Sequence, residues 1–246
     1  DLKEKSEDVI DSNIPLQNSL IYKIVFSTLE NKEDNTWKND EELETQILWM
    51  TSNVIPKTVA SLATSIFMVL DKQNDIKESL LEELLPLKDN IVDIFSNCDN
   101  NILESKTPIL DSIIEETLRL YPPFVTFCKS TNTNLTNFHG YSIPKDWQCF
   151  YLSSFANKDE NVYDDPNTFN YKRWLDIDNC KMHLSFGKGS RICLGKDWSK
   201  LITKIMVSRL LCEYEFDIIK DQDLTFKCLP VLRPKSGLRI TNFRLR

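Results

Sequence analysis

A chain of 246 residues, 41% of them hydrophobic and with a formal net charge of −7, can bury a sizeable core and carries no long basic run, so nucleic acid is excluded as an expected partner. Its seven cysteines are odd in number, scattered and without a Cys-x-x-Cys pair, which points to reduced thiols in an intracellular compartment and away from a disulfide frame or a zinc site. No apolar run approaches the ~20 residues that cross a bilayer, residues 59–70 being the best, and no signal peptide is recognisable, so the Asn134-Leu135-Thr136 sequon reads as incidental.

Residues 1–40 are polar, rich in Asn, Glu and Lys, and read as the remnant of a preceding helical region. Residues 41–71 predict one long helix, apolar on nearly all faces and therefore a core helix. Pro56 inside it removes the bond to the Ser52 carbonyl and predicts a kink. A second, amphipathic helix is expected over residues 75–87, followed by a polar connection. Thr107-Pro108 reads as a cap with proline in the first helical position, opening a helix that stops before Pro122-Pro123. On that helix Glu116 and Arg119 stand three apart, on one face and able to pair. By itself such a pair is a common surface feature worth little.

Residues 124–129 predict an extended run whose apolar members are Phe124, Val125 and Phe127. A turn and strand follow over residues 140–151, with Tyr141 and Ile143 alternating against polar neighbours. Short strands close the chain over residues 224–244, where Leu229, Val231 and Leu232 are pocket candidates. The most informative stretch is residues 183–204. Three of the five glycines, Gly187, Gly189 and Gly195, fall there, and they imply a backbone held close to something large and flat. Trp198, Leu201, Ile202, Ile205, Met206, Leu210 and Leu211 recur at helical spacing, so Cys193 precedes a helix N-terminus, where the dipole favours an anionic sulfur suited to metal ligation. Cys98, Cys128, Cys149, Cys180, Cys212 and Cys228 have no such setting. The rival reading of Cys193 is an ordinary buried cysteine.

The pattern Phe186-x-x-Gly189-x-Arg191-x-Cys193-x-Gly195 resembles the signature of the cytochrome P-450 family of haem-thiolate monooxygenases. The resemblance runs from about residue 41 to the end and corresponds to the C-terminal half of a complete member. It implies a mainly α fold with a minor antiparallel β-sheet, residues 41–246 forming the C-terminal haem-thiolate portion of a single domain. It further implies haem b (iron protoporphyrin IX) as cofactor, with Cys193 as the ligand of the iron. Phe186 would pack near the sulfur, Arg191 would pair with a propionate, and Gly187, Gly189 and Gly195 would let the loop lie against the porphyrin. Lys129 is a second propionate candidate, with an ordinary strand lysine as the rival. Glu116 and Arg119 resemble the family's helix motif, completed by Arg173 within Phe169-Asn170-Tyr171-Lys172-Arg173-Trp174, as a buried charge triad that fixes the cysteine loop. Residues 41–71 take the place of the helix on the distal side, with Thr58 at its catalytic threonine position. The rival for Thr58 is a helix threonine bonded to its own backbone. Val54, Ile55 and Pro56 depart from the family's pattern, and Lys57 stands where an acid is usual.

The function so implied is that of an oxidoreductase, a monooxygenase hydroxylating a lipophilic small molecule such as a retinoid, sterol or terpenoid. Segments at Thr58, Gly140 and Cys193 look most like the retinoic-acid hydroxylases and their sterol- and terpenoid-oxidising relatives. Its expected partners are molecular oxygen and an electron-donor flavoprotein reductase or ferredoxin, docking on a basic face made by Lys188, Lys196, Lys200 and Lys204. A membrane anchor is expected only from a missing N-terminal part, which would place a full-length form on the cytosolic face of the endoplasmic reticulum. Two rivals stand beside this reading: an isomerase or dehydratase of the same fold acting on oxygenated lipids, and a non-catalytic fragment.

Overall fold

A computed structural model describes residues 40–96, 105–175 and 182–246; the expectation for residues 1–39, and Cys98 and Cys180, lie outside them. The chain divides into two compact units at Val54. In the first, helix α1 (Asp40–Trp49) gives way to a π-helical turn, Met50–Val54. The hydroxyls of Thr51 and Ser52 donate back to the carbonyls of Ile47 and Leu48. Regular α geometry resumes in the second unit as α2 (Ile55–Lys72). The single helix expected over residues 41–71 is thus interrupted upstream of Pro56. The proline ring offers no N–H to the Ser52 carbonyl, and the wider π-helical turn falls directly before it.

The helical stretch Glu44–Lys72 is also long and apolar enough, by length and composition alone, to span a membrane, which corrects the shorter limit drawn from residues 59–70. Two thirds of the most apolar window, 67%, is nevertheless buried inside the protein, as in a core helix.

The second unit continues with α3 (Asn74–Leu84), whose Ile76, Leu80 and Leu84 recur every fourth residue and are buried along one face. Pro86 enters a 3-10 turn, Leu85–Asn90, because its fixed φ suits a first turn and its missing N–H is not needed there. Helices α4 (Ile91–Ser96) and α5 (Pro108–Leu120) follow. Strand β1 (Phe127–Ser130) pairs antiparallel with β4 (Gln148–Tyr151), and β2 (Leu135–Phe138) with β3 (Tyr141–Ile143). His139 and Gly140, both at positive φ, close the β2–β3 hairpin in the manner its right-handed twist requires. After the short α6 (Ser153–Ala156) come α7 (Lys196–Glu213) and β5 (Tyr214–Ile218), which pairs with β8 (Ile240–Leu245). Between them, β6 (Phe226–Lys227) pairs with β7 (Arg233–Pro234). This is the mainly helical architecture with minor antiparallel sheet that the sequence implies.

The apolar core joins α2, α3, α5 and α7 through residues such as Leu62, Ile66, Leu80, Ile113 and Val207. Tyr141 and Ile143 do not alternate between core and solvent. Tyr141 is 74% exposed, since among the described residues no second layer covers the β2–β3 hairpin.

Among the described residues, helix α5 is the one element buried on every side, from Leu110 through Leu120. Its start is where Thr107-Pro108 predicts, but Thr107 does not cap it. Glu83 of α3 does: its two carboxylate oxygens accept the N–H groups of Ile109 (2.7 Å) and Leu110 (2.9 Å). Burial pushes the Glu83 carboxyl above the usual range, and the two N–H groups pull against that rise. Replacing Glu83 with alanine strands both donors. The Glu83→Ala protein should lose about 0.5–2 kcal/mol, the range for a lost helix cap. Urea denaturation should show a lower midpoint at an unchanged slope.

Candidate functional site

The loop before α7 is shaped by its backbone. Gly187 and Gly189 sit at φ of +74° and +80°, conformations that a side chain strains, and residues Gly189–Arg191 form a 3-10 turn. The turn closes on itself through Cys193 N–H donating to the Phe186 carbonyl at 2.9 Å, and Gly195 precedes the first residue of α7. None of residues 187–196 is buried. Cys193 is a free, exposed thiol, which removes the buried-cysteine rival. Its neighbours Ile192 and Leu194 are 46% and 93% exposed, and the Arg191 guanidinium is exposed as well. A Cβ added at Gly187 or Gly189 would meet nothing within 4 Å, so the glycines serve the turn and leave its outer face open. A soft sulfur ligand, apolar neighbours and one cation on an open face form a donor set that fits an iron porphyrin with acidic side arms.

Helix α5 is bonded to the residues on either side of the loop, through Glu115 to His183 and Lys200 and through the Leu118 carbonyl to Ser185. The structure brings Glu116, Arg119 and Arg173 together. Arg119 grips Glu116 with two parallel bonds, Nε to Oε2 at 2.9 Å and Nη2 to Oε1 at 2.8 Å, both side chains fully buried. Arg173 Nε donates to the same Oε1 at 3.1 Å, joined there by the Asn170 N–H at 2.9 Å, and Trp174 Nε1 donates to Oε2 at 2.8 Å. The remaining Arg119 donors reach the carbonyls of Asn157, Pro166 and Thr168, so all five of its N–H groups are used. Its guanidinium also lies 4.9 Å from the centre of the Tyr163 ring. Burial alone would raise the Glu116 carboxyl. The donors of Arg119, Asn170 and Trp174 outweigh it and hold the group below the ordinary range. Sequence reasoning found the three charges but missed Trp174, Asn170 and Asn157, whose spacing from α5 carries no local signal.

Two further carboxylates of α5 correct the expected basic face. Lys204 turns inward to Asp111 and is buried, and Lys200 pairs with Glu115. The amphipathic pattern of α7 made both lysines look solvent-facing, whereas the acids facing them draw them in. Lys188 remains exposed and Lys196 half-buried. Glu115 also takes a bond from His183 Nε2 at 2.7 Å. Burial pushes Glu115 up, but His183 and Lys200 together bring it down to about 2. A cavity of about 260 Å³ opens beside this pair, lined among others by Trp174, Phe186, Ile192 and Lys196.

The other residues singled out are placed as follows. Thr58 is half-buried and Lys57 exposed on the first turns of α2. Lys129 is exposed on β1, opposite Cys149 in the ladder. Of the three pocket candidates, Val231 and Leu232 are buried and Leu229 is exposed.

Known proteins resemble this chain in sequence and fold. The family model for cytochrome P-450 matches residues 2–241. The chain is 29% identical over 189 residues to cytochrome P-450 120 of Synechocystis sp., covering 75% of this chain and 41% of that protein. It is 32% identical over 197 residues to cytochrome P-450 26B1 of Bos taurus, covering 76% of this chain and 38% of that one. Among solved structures, the retinoic acid-bound cyanobacterial CYP120A1 superposes with a TM-score of 0.68 at 24% identity, over 96% of this chain and 60% of its own. The chain therefore spans about two fifths of the length of these curated relatives.

Truncating Arg119 strands Glu116 in a dry interior. Arg119→Ala should cost about 3–5 kcal/mol in chemical denaturation, the range for one broken partner of a buried pair, and Arg119→Lys, which cannot make the fork, should recover only part of it. Glu115 gives a pH dependence. Its folded value of about 2 lies below the ordinary 4.5, so its contribution is complete above 4.5 and is lost as pH falls from there toward 2. Urea midpoints across that window should fall less steeply in Glu115→Gln than in the unsubstituted protein.

Proposed function

Because the chain belongs to the cytochrome P-450 family, we propose that it is the haem-thiolate portion of a monooxygenase that hydroxylates a lipophilic small molecule. The observation that carries this reading is the free, exposed Cys193 thiol on a glycine turn, together with a buried helix whose charged groups are tied to later segments. Haem, when bound, supplies oxygen activation and one-electron chemistry. The chain supplies the setting. Cys193 would hold the iron, and Phe186, half-buried and accepting the Cys193 N–H at its carbonyl, would pack near the sulfur. Arg191, with Lys129 as the second candidate, would neutralise the propionates. Gly187, Gly189 and Gly195 keep the loop free of side chains where the flat group would rest. Thr58 is the proposed hydroxyl that holds a proton on the distal side, at the start of α2 just past the π-helical turn, a geometry common at functional sites.

The finer proposal is a retinoid, sterol or terpenoid substrate. It is supported by the likeness to a cyanobacterial structure bound to retinoic acid and by the apolar residues Phe124, Val125 and Phe127. Electrons would come from a flavoprotein reductase or ferredoxin meeting the cations Lys188 and Lys196. The membrane anchor and the location at the endoplasmic reticulum belong to the same proposal, as properties of a longer form. One observation favours a second reading: Lys57 places a cation where proton delivery normally uses a carboxylate. It points to an isomerase or dehydratase on oxygenated lipids, which turns over without reductase.

The test is spectroscopic. Haem-loaded protein, reduced under carbon monoxide, should show the red-shifted Soret band of thiolate ligation, and Cys193→Ala should abolish it. Retention of the band in Cys193→Ala, with its loss in a variant of Cys128, Cys149, Cys212 or Cys228, would overturn the assignment.

A further inference from the structure

Glu115 stands beside the triad carboxylate, yet no motif gives it a role, and its two oxygens hold opposite sides of the cysteine loop. Oε2 takes His183, which precedes Cys193 in the chain; Oε1 takes Lys200, which follows it on α7. The partners of the histidine define its state. Ser185 N–H donates to Nδ1 at 3.2 Å, so Nδ1 is the acceptor and the ring proton sits on Nε2, aimed at Glu115. The ring is fixed edge-on by Trp174, with centroids 5.5 Å apart, and leans on Phe186 at 6.1 Å. Phe186 in turn accepts the Cys193 N–H at 2.9 Å, and the Lys200 ammonium lies 5.7 Å from the Phe186 ring. Two routes therefore run from one carboxylate to the turn that carries the thiol. Since none of residues 187–196 is buried, packing does not fix the shape of that turn; its anchored ends do.

We propose that Glu115, gripping His183 on one side and Lys200 on the other, is a clamp that sets the position of the Cys193 turn, with His183 as its positioning residue. The proposal rests on the reading of Cys193 as the haem ligand and adds to it a second anchoring point, separate from the Glu116 triad. It requires the specific bond from Nε2 to Glu115. The local bond from Ser185 to Nδ1 shapes only the approach to the turn.

Two substitutions separate these bonds, because a glutamine amide reaches the place of Nε2 and an asparagine amide that of Nδ1. Amide hydrogen exchange on the full chain without haem reads the outcome. In His183→Asn, exchange at Gly187 and Cys193 should rise roughly tenfold or more, as expected for the loss of a hydrogen bond to a charged group. In His183→Gln it should stay close to the unsubstituted rate, and residues 170–174, held by Glu116, should be unchanged in both. Slow exchange in Asn with fast exchange in Gln would make the local turn the operative contact and overturn the clamp, as would unchanged exchange in both. Should both variants also lose protection at residues 170–174, and so the fold, Lys200→Met decides: a rise confined to the loop supports the clamp, and no rise overturns it. The haem-loaded proteins supply a second readout, in which the thiolate Soret band survives in Gln and is diminished in Asn. A chain that shows no such band before substitution defeats the ligand reading, and the exchange result still judges the clamp.

Discussion

The carboxylate of Glu116 is the constraint on which the rest depends. Taken out of water it is costly, and an ion pair in such a place adds little net stability over well-packed apolar residues. What it adds is direction. Five N–H groups from Arg119, Asn170, Arg173 and Trp174 converge on two oxygens, and each donor belongs to a position that must be in place for the charge to be tolerated. A misplaced segment would leave a buried charge short of partners, which is far worse than a misplaced apolar contact.

Helix α5 repeats this arrangement along its length. Asp111 holds α7 through Lys204, Glu115 holds the approach to the cysteine turn and α7 again, Glu116 holds residues 170–174, and Arg119 holds the carbonyls of Asn157, Pro166 and Thr168. The helix is buried on all sides, so none of these charges has water to fall back on. The cysteine turn itself is exposed, and the residues tied to this helix, His183 and Lys200, flank it on either side in the chain.

Much of this was legible where the signal is local. The glycine turn announced itself by concentrating three of five glycines, while Glu116 with Arg119 stood out only once the family resemblance was added to their helical spacing. The start of α5 was readable from Thr107-Pro108, but its cap was not, because Glu83 lies on another helix. His183 passed without a role for the same reason: its partner Glu115 is remote in the chain, and a lone histidine carries no pattern. The lysines of α7 were misread because a lysine at helical spacing looks the same whether it meets water or a buried acid. The interruption after Trp49 shows a different limit, since a proline reports which bond is lost and says nothing of which turn absorbs the slack.

The three bonds from Arg119 to the carbonyls of residues 157, 166 and 168 have a consequence for how this loop can vary. Every amino acid presents the same carbonyl, so at Pro166 and Thr168 the recognition is indifferent to the side chain. Asn157 is the exception, because its amide also binds the Arg119 carbonyl, the Ser185 hydroxyl and the Leu184 N–H. The loop is thus read as a path through space, spelled out at one residue and free to change its letters at the others.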